Sequence, residues 1–145
     1  MSDALVLERV AVRPGRLSIL VRVASWCPRQ TNDALASYAL ARYPALPHHV
    51  CINGEGSTFG AVLAHTSVAH LLEHVIIDEQ VADPRTPRDV ALLGTTEWTD
   101  ERAGIARIEV NFSDDLVALQ ALRTALAFLN KGLEGHRHEY GASHL

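Results

Sequence analysis

Only two cysteines occur in the 145 residues, Cys27 and Cys51, and they do not stand in C-x-x-C spacing. That excludes a scaffold stapled by several disulfides, and both thiols are expected to be reduced. No apolar run reaches the roughly 18 uninterrupted residues that a membrane-spanning helix requires. The stretch from Phe59 to Ile77 comes closest, but His65, His70, Glu73 and His74 interrupt it, and such groups are costly in lipid. Long basic runs are absent too, and with a formal net charge of -4 nucleic acid is not expected as a partner. The opening DALVLERVAVRPG carries charges through its apolar positions and does not read as a signal peptide, so a cytoplasmic location is expected and no membrane association. There is no internal repeat, no phosphate-binding glycine loop and no nucleophile elbow; Gly54-Glu55-Gly56 reads as a turn.

What is present is a hydrophobic content of 48%, enough for one globular domain over residues 1–133, with 134–145 expected as a disordered tail despite His136, His138 and His144. Residues 4–12 and 17–23 are rich in Val, Ile and Leu and flank the turn signal Arg13-Pro14-Gly15-Arg16, which predicts a strand pair. Thr31 or Asn32 caps a helix to about Arg42, with Leu35, Tyr38, Ala39 and Arg42 on one stripe. Pro44 and Pro47 end it, and 44–58 reads as loop. A second helix is expected over about 59–81, apolar nearly all round and therefore buried. Strands follow within 91–99 and over 104–112. Ser113 or Asp114 then caps a helix over about 115–132, with Leu116, Leu119, Leu122, Leu126 and Leu129 as its stripe and Gly132 closing it. The order β-β-α-α-β-β-α predicts an α+β two-layer sandwich, about four mainly antiparallel strands with three helices on one face.

The chemistry lies in His70-Leu71-Leu72-Glu73-His74. Imidazoles four residues apart on a helix project side by side and can share one metal ion, with Glu73 on the same face. This is the H-x-x-E-H order of the inverted zincins, in which two histidines hold Zn²⁺ and the glutamate acts as general base. Burying these three groups without partners would cost about 2–7 kcal/mol for each neutral one and more for the charge. The bland alternative is mutual hydrogen bonding within the core. Zinc is the first expectation for the metal, with iron or manganese as alternatives. A catalytic zinc takes three protein ligands, so a third donor is required. Candidates are Glu97, Cys51, His48, His49, His65 and the acidic residues after Glu97. A thiolate at Cys51, just upstream of the helix, would be a good ligand. Glu97 falls where a strand end meets a loop. His65, on a helix starting at 59, would point about 140° away from His70.

The segment HTSVAHLLEHVIIDEQ (65–80), the threonine-glutamate stretch Thr95, Thr96, Glu97, and a strand ending Val110, Asn111, Phe112 before a Leu/Ala-rich helix resemble the N-terminal domain of cyanophycin synthetases. That family has Gly-Thr-x-x-Gly-His-x-x-Glu-His-Val followed by Thr-x-Glu-Thr. The resemblance implies His70 and His74 as metal ligands, Glu73 as general base, and Glu97 as the third contact, with Cys51 a bystander. Ala69 stands where the family has Gly, and Trp98 follows Glu97 where it has Thr. The family's ligase chemistry belongs to ATP-grasp and Mur-ligase-like domains that this sequence does not contain, so the implied role is the hydrolytic or polymer-binding one. The same motif order occurs in pitrilysin-type peptidases, which are far longer, and in S-ribosylhomocysteine lyase, whose cysteine ligand follows the motif; both cysteines here precede His74. Two functions are therefore expected to compete. The first is a small zinc hydrolase of amide bonds in a peptide or peptide-like substrate. The second is a non-catalytic peptide- or partner-binding domain of the same fold.

Overall fold

The structure, a computed structural model, describes residues 3–137. Strand β1 (Leu5–Arg13) turns through Pro14 and Gly15 into β2 (Arg16–Val23). Proline presets the first corner, and glycine supplies the positive φ of 75° at the second. Helix α1 (Asp33–Arg42) begins where the Asn32 side chain accepts from the Leu35 N–H. A hairpin of β3 (Val50–Asn53) and β4 (Gly56–Thr58) follows, then a 3-10 turn over Phe59–Ala61, helix α2 (Val68–Ala82), β5 (Gly94–Asp100), β6 (Ile105–Asn111) and helix α3 (Asp115–Gly135). The main sheet runs β1-β2-β6-β5, with every pair antiparallel.

Alternation on the strands decides where the core sits. Leu17, Ile19, Val21 and Val23 of β2 and Ala106, Ile108 and Val110 of β6 are buried under the helices, while Arg16, Ser18, Arg22, Arg107 and Glu109 lie on the opposite, wetter face. Helix α2 covers β5 and β6, α3 covers β1 and β2 beside α2, and α1 packs on α3. This is the expected α+β architecture with the helices on one face of four antiparallel strands.

Several local expectations are corrected. Helix α2 starts at Val68 rather than Phe59, because Ser67 caps it by accepting from the His70 N–H. His65 therefore precedes the helix, exposed and paired with Glu55. The stretch 44–58 contains the β3–β4 hairpin, cross-linked by Asn53, whose Nδ2 donates to the carbonyls of Cys51 and Thr58. On α1 the apolar position after Ala39 is filled by Tyr43, while Arg42 is exposed. The buried seam of α3 is Val117, Ala118, Ala121, Leu122, Ala125, Leu129 and Leu133, and Leu116 is exposed. Alanines share the seam with three leucines, and Leu119 and Leu126 are half-buried against the core. Gly132 does not close α3, which continues to Gly135, so residues 134 and 135 of the expected tail are helical. His136 follows directly, while His138 and His144 lie outside the described residues.

Gly132 has a packing role. A Cβ there would stand 2.2 Å from Tyr38 Cε1. That ring is held by stacking on Phe128 at 4.4 Å and by its hydroxyl donating to the Phe128 carbonyl. Glycine to alanine normally stabilises a helix interior by about 0.8–1 kcal/mol, but overpacking costs about 1–3 kcal/mol and should win here. Gly132→Ala is expected to lower the urea midpoint, and adding Tyr38→Ala to recover part of the loss relative to Tyr38→Ala alone. A more stable Gly132→Ala single variant would contradict this seating of the ring.

Candidate metal centre

Helix α2 is capped and aimed by the segment before it. The Val68 N–H donates to the Arg29 carbonyl, and Thr31 ties down residues 63–66 through its hydroxyl and backbone. With the register fixed, Leu71, Leu72, Val75 and Ile76 are fully buried, and Glu73 and His74 go into the core with them, 3% and 1% exposed. His70 sits one turn earlier, half-buried, with its ring 4.9 Å from that of His74.

The β3–β4 hairpin folds back over this helix. Its base is closed by the Phe59 N–H donating to the His49 carbonyl, which brings His49, Cys51 and Phe59 together above α2. Phe59 stacks on the His74 ring at 3.9 Å, nearly parallel. Cys51 Sγ lies 3.4 Å from His70 Nε2, and Thr66 Oγ1 lies 2.9 Å from His70 Nδ1. One donor atom each from Cys51, His70 and His74 falls within 4.8 Å of the others. A tetrahedral zinc with ordinary Zn–S and Zn–N bonds separates its donors by roughly 3.3–3.6 Å, so a small inward movement closes this set around an ion. His74 Nε2 is buried with no hydrogen-bond partner, and Glu73 Oε2 at 3.4 Å approaches it without the geometry of a bond. A bare ring nitrogen in a core is costly unless something takes its lone pair.

Electrostatics follow from burial. Desolvation pushes His74 down to about 3, helped by His70 and His49, and lowers His70, so both rings present lone pairs at neutral pH. Burial pushes the Glu73 carboxyl up to about 7, against the Thr96 hydrogen bond and His49, which favour its charged form. Thr96 Oγ1 donates to Glu73 Oε1 at 2.7 Å. Close contact with β5 depends on Gly94, where a Cβ would stand 2.8 Å from Glu73 Cγ. The group opens on a cavity of about 770 Å³ whose walls include Cys51, His70, Glu73, His74, Thr96 and Trp98. Beyond His74 lies a second, mostly apolar cavity of about 400 Å³, sharing Val50, His74 and Leu93 with the first.

The structure brings together His70, His74 and Glu73 but not Glu97. On β5, Gly94, Thr96 and Trp98 face α2, so Glu97 points to the opposite face of the sheet, exposed and 3.5 Å from Arg107. The position expected for the third donor is held by Cys51, which the resemblance left as a bystander. His48 is exposed, and His65 pairs with Glu55. Sequence reasoning gives no site role to Phe59, Thr66, Thr96 and Asp78, and it offers His49 only as one of several candidates for the third donor. The signal for the hairpin was Asn53-Gly54-Glu55-Gly56 between Val50-Cys51-Ile52 and Ser57-Thr58, short strands around a turn. Comparison with known proteins adds no relative: no protein-family model matches the chain, and no curated protein is significantly similar to it.

Both cysteines are free, in different settings. Cys27 is buried, its thiol donates to the Pro28 carbonyl, and burial pushes it up to about 11. Since the thiolate is the reactive form, iodoacetamide at pH 8 should alkylate Cys51 and spare Cys27 in the folded protein, as read by peptide mass spectrometry. Zn²⁺ added beforehand should protect Cys51. Rapid labelling of Cys27, or no protection of Cys51, would contradict these placements.

Proposed function

We propose that the chain is a small zinc-dependent hydrolase of amide bonds in peptide or peptide-like substrates. One observation carries the reading. Three metal-type donors, Cys51, His70 and His74, converge at the wall of an open cavity beside a buried carboxylate. Structural zinc sites are closed by four protein ligands, whereas catalytic ones use three and leave a position open. Zinc bound there supplies a Lewis acid and an activated water. Glu73 holds and moves the proton at Oε2, while Thr96 fixes Oε1. A carboxyl poised near neutral pH suits that work. Strand β5 pairs with β6 alone among the described residues, so its outer edge beside the cavity is open to an extended peptide backbone. The adjoining apolar cavity suits an apolar side chain of the same substrate. The resemblance to the cyanophycin synthetase N-terminal domain agrees with a peptide-like polymer as substrate.

A second reading, a non-catalytic domain that binds a peptide or partner chain, is favoured by the apolar rim of the two cavities. Val50, Ile52, Val81 and Leu93 are 69%, 83%, 61% and 57% exposed.

Protein purified without an affinity tag after growth with zinc is expected to carry about one zinc per chain by elemental analysis. Cys51→Ala and His70→Ala should empty the site, and Glu97→Ala should keep it. Glu73→Gln preserves the acceptor for Thr96 and should keep the metal while losing on the order of 10²–10⁴-fold in hydrolysis of a peptide library. Metal-free wild type would refute the zinc reading. A metal-loaded protein without amidase activity, or one whose activity Glu73→Gln leaves intact, would favour the binding domain.

A further inference from the structure

His49 and Asp78 form a chain of polar contacts behind His74. His49 Nε2 lies 3.0 Å from Asp78 Oδ2, and His49 Nδ1 lies 3.1 Å from His74 Nδ1. The His49 and Asp78 side chains are only 14% and 17% exposed, and both line the apolar cavity. Resting on the zinc reading above, we infer that Asp78 and His49 are positioning residues that set which nitrogen of His74 faces the metal.

The argument is one of donor polarity. A carboxylate only accepts, so His49 carries its proton on Nε2, facing Asp78. When His49 is neutral its Nδ1 is an acceptor, and His74 then places its own proton on Nδ1 to meet it. His74 Nε2 is left bare, and it is the buried atom without a hydrogen-bond partner on one of the three residues grouped as metal donors. Reversing the polarity would put a proton on His74 Nε2 and block ligation. Metal-binding histidines ordinarily donate their second N–H to an oxygen acceptor; here an imidazole, itself oriented by a carboxylate, takes that place. Phe59 stacked on His74 limits ring rotation and keeps the two Nδ1 atoms opposed. Because His49 precedes Cys51 by two residues at the start of the hairpin, the same segment supplies a metal donor and the acceptor that orients another.

The test uses Zn²⁺ alone, titrated into the metal-free full chain against a chromophoric chelator. His49→Ala is expected to weaken zinc binding about 10–100-fold. His49→Gln, whose side-chain oxygen can accept from His74 Nδ1–H, should recover most of the loss. Asp78→Ala, which leaves the His49–His74 contact in place, should fall between wild type and His49→Ala. In zinc-loaded wild type, nitrogen NMR should show an exchange-protected Nδ1–H on His74, and His49→Ala should lose that protection with circular dichroism unchanged. Wild-type affinity in His49→Ala, or a Gln variant as weak as the Ala variant, would overturn the inference while leaving the zinc site standing. Equal, negligible zinc binding by wild type and His70→Ala would instead remove the zinc reading, and the inference with it. If His49→Ala does not fold, Asp78→Ala decides: unchanged affinity overturns the inference.

Discussion

Glu73 and His74 are carried into the core on a helix whose neighbouring side chains, Leu71, Leu72, Val75 and Ile76, are fully buried. Desolvating these two polar groups is the constraint around which the surrounding structure is arranged. Thr96 comes from β5 to hold one oxygen of Glu73, His49 and Asp78 come together to engage one nitrogen of His74, and Phe59 covers its ring. What remains without a hydrogen bond is His74 Nε2, and both Glu73 and His74 line the cavity that Cys51 and His70 share.

The β3–β4 hairpin converts that buried pair into a site. It is short, but the cross-links by Asn53 fix it, and its base delivers His49, Cys51 and Phe59 onto α2 at once. The sheet contributes through β5, an edge strand, where Gly94 admits Glu73 closely and Thr96 meets it. Three elements distant in sequence thus each contribute a different kind of group: two imidazoles and a carboxylate from α2, a thiol and a further imidazole from the hairpin and its base, a hydroxyl from β5.

Much of this was legible in the chain. The strand pairs, the caps at Asn32 and Asp114, and the sheet-plus-helices architecture follow from local signals that the tertiary structure did not override. His70, Glu73 and His74 were readable because i, i+3, i+4 spacing on a helix fixes relative direction without knowledge of the fold. Glu97 failed for the complementary reason. Strand parity decides which face a residue occupies, and a one-residue difference separates Thr96, at the site, from Glu97, behind the sheet. On α3 the leucine periodicity places Leu122 and Leu129 in the core and Leu119 and Leu126 against it, but it includes the exposed Leu116 and leaves out the alanines of the same face. Cys51 and His49 depended on a hairpin hidden in a stretch rich in Pro, Gly and Asn, and nothing in their spacing to α2 fixes how that hairpin folds back.

The central claim, that a thiolate and two imidazoles form one metal centre, is tested most directly by X-ray absorption at the zinc edge on the zinc-loaded chain. The account predicts one sulfur at about 2.3 Å and two imidazole nitrogens at about 2.0–2.1 Å, with a light-atom ligand completing the shell. A shell of nitrogen and oxygen without sulfur would contradict it.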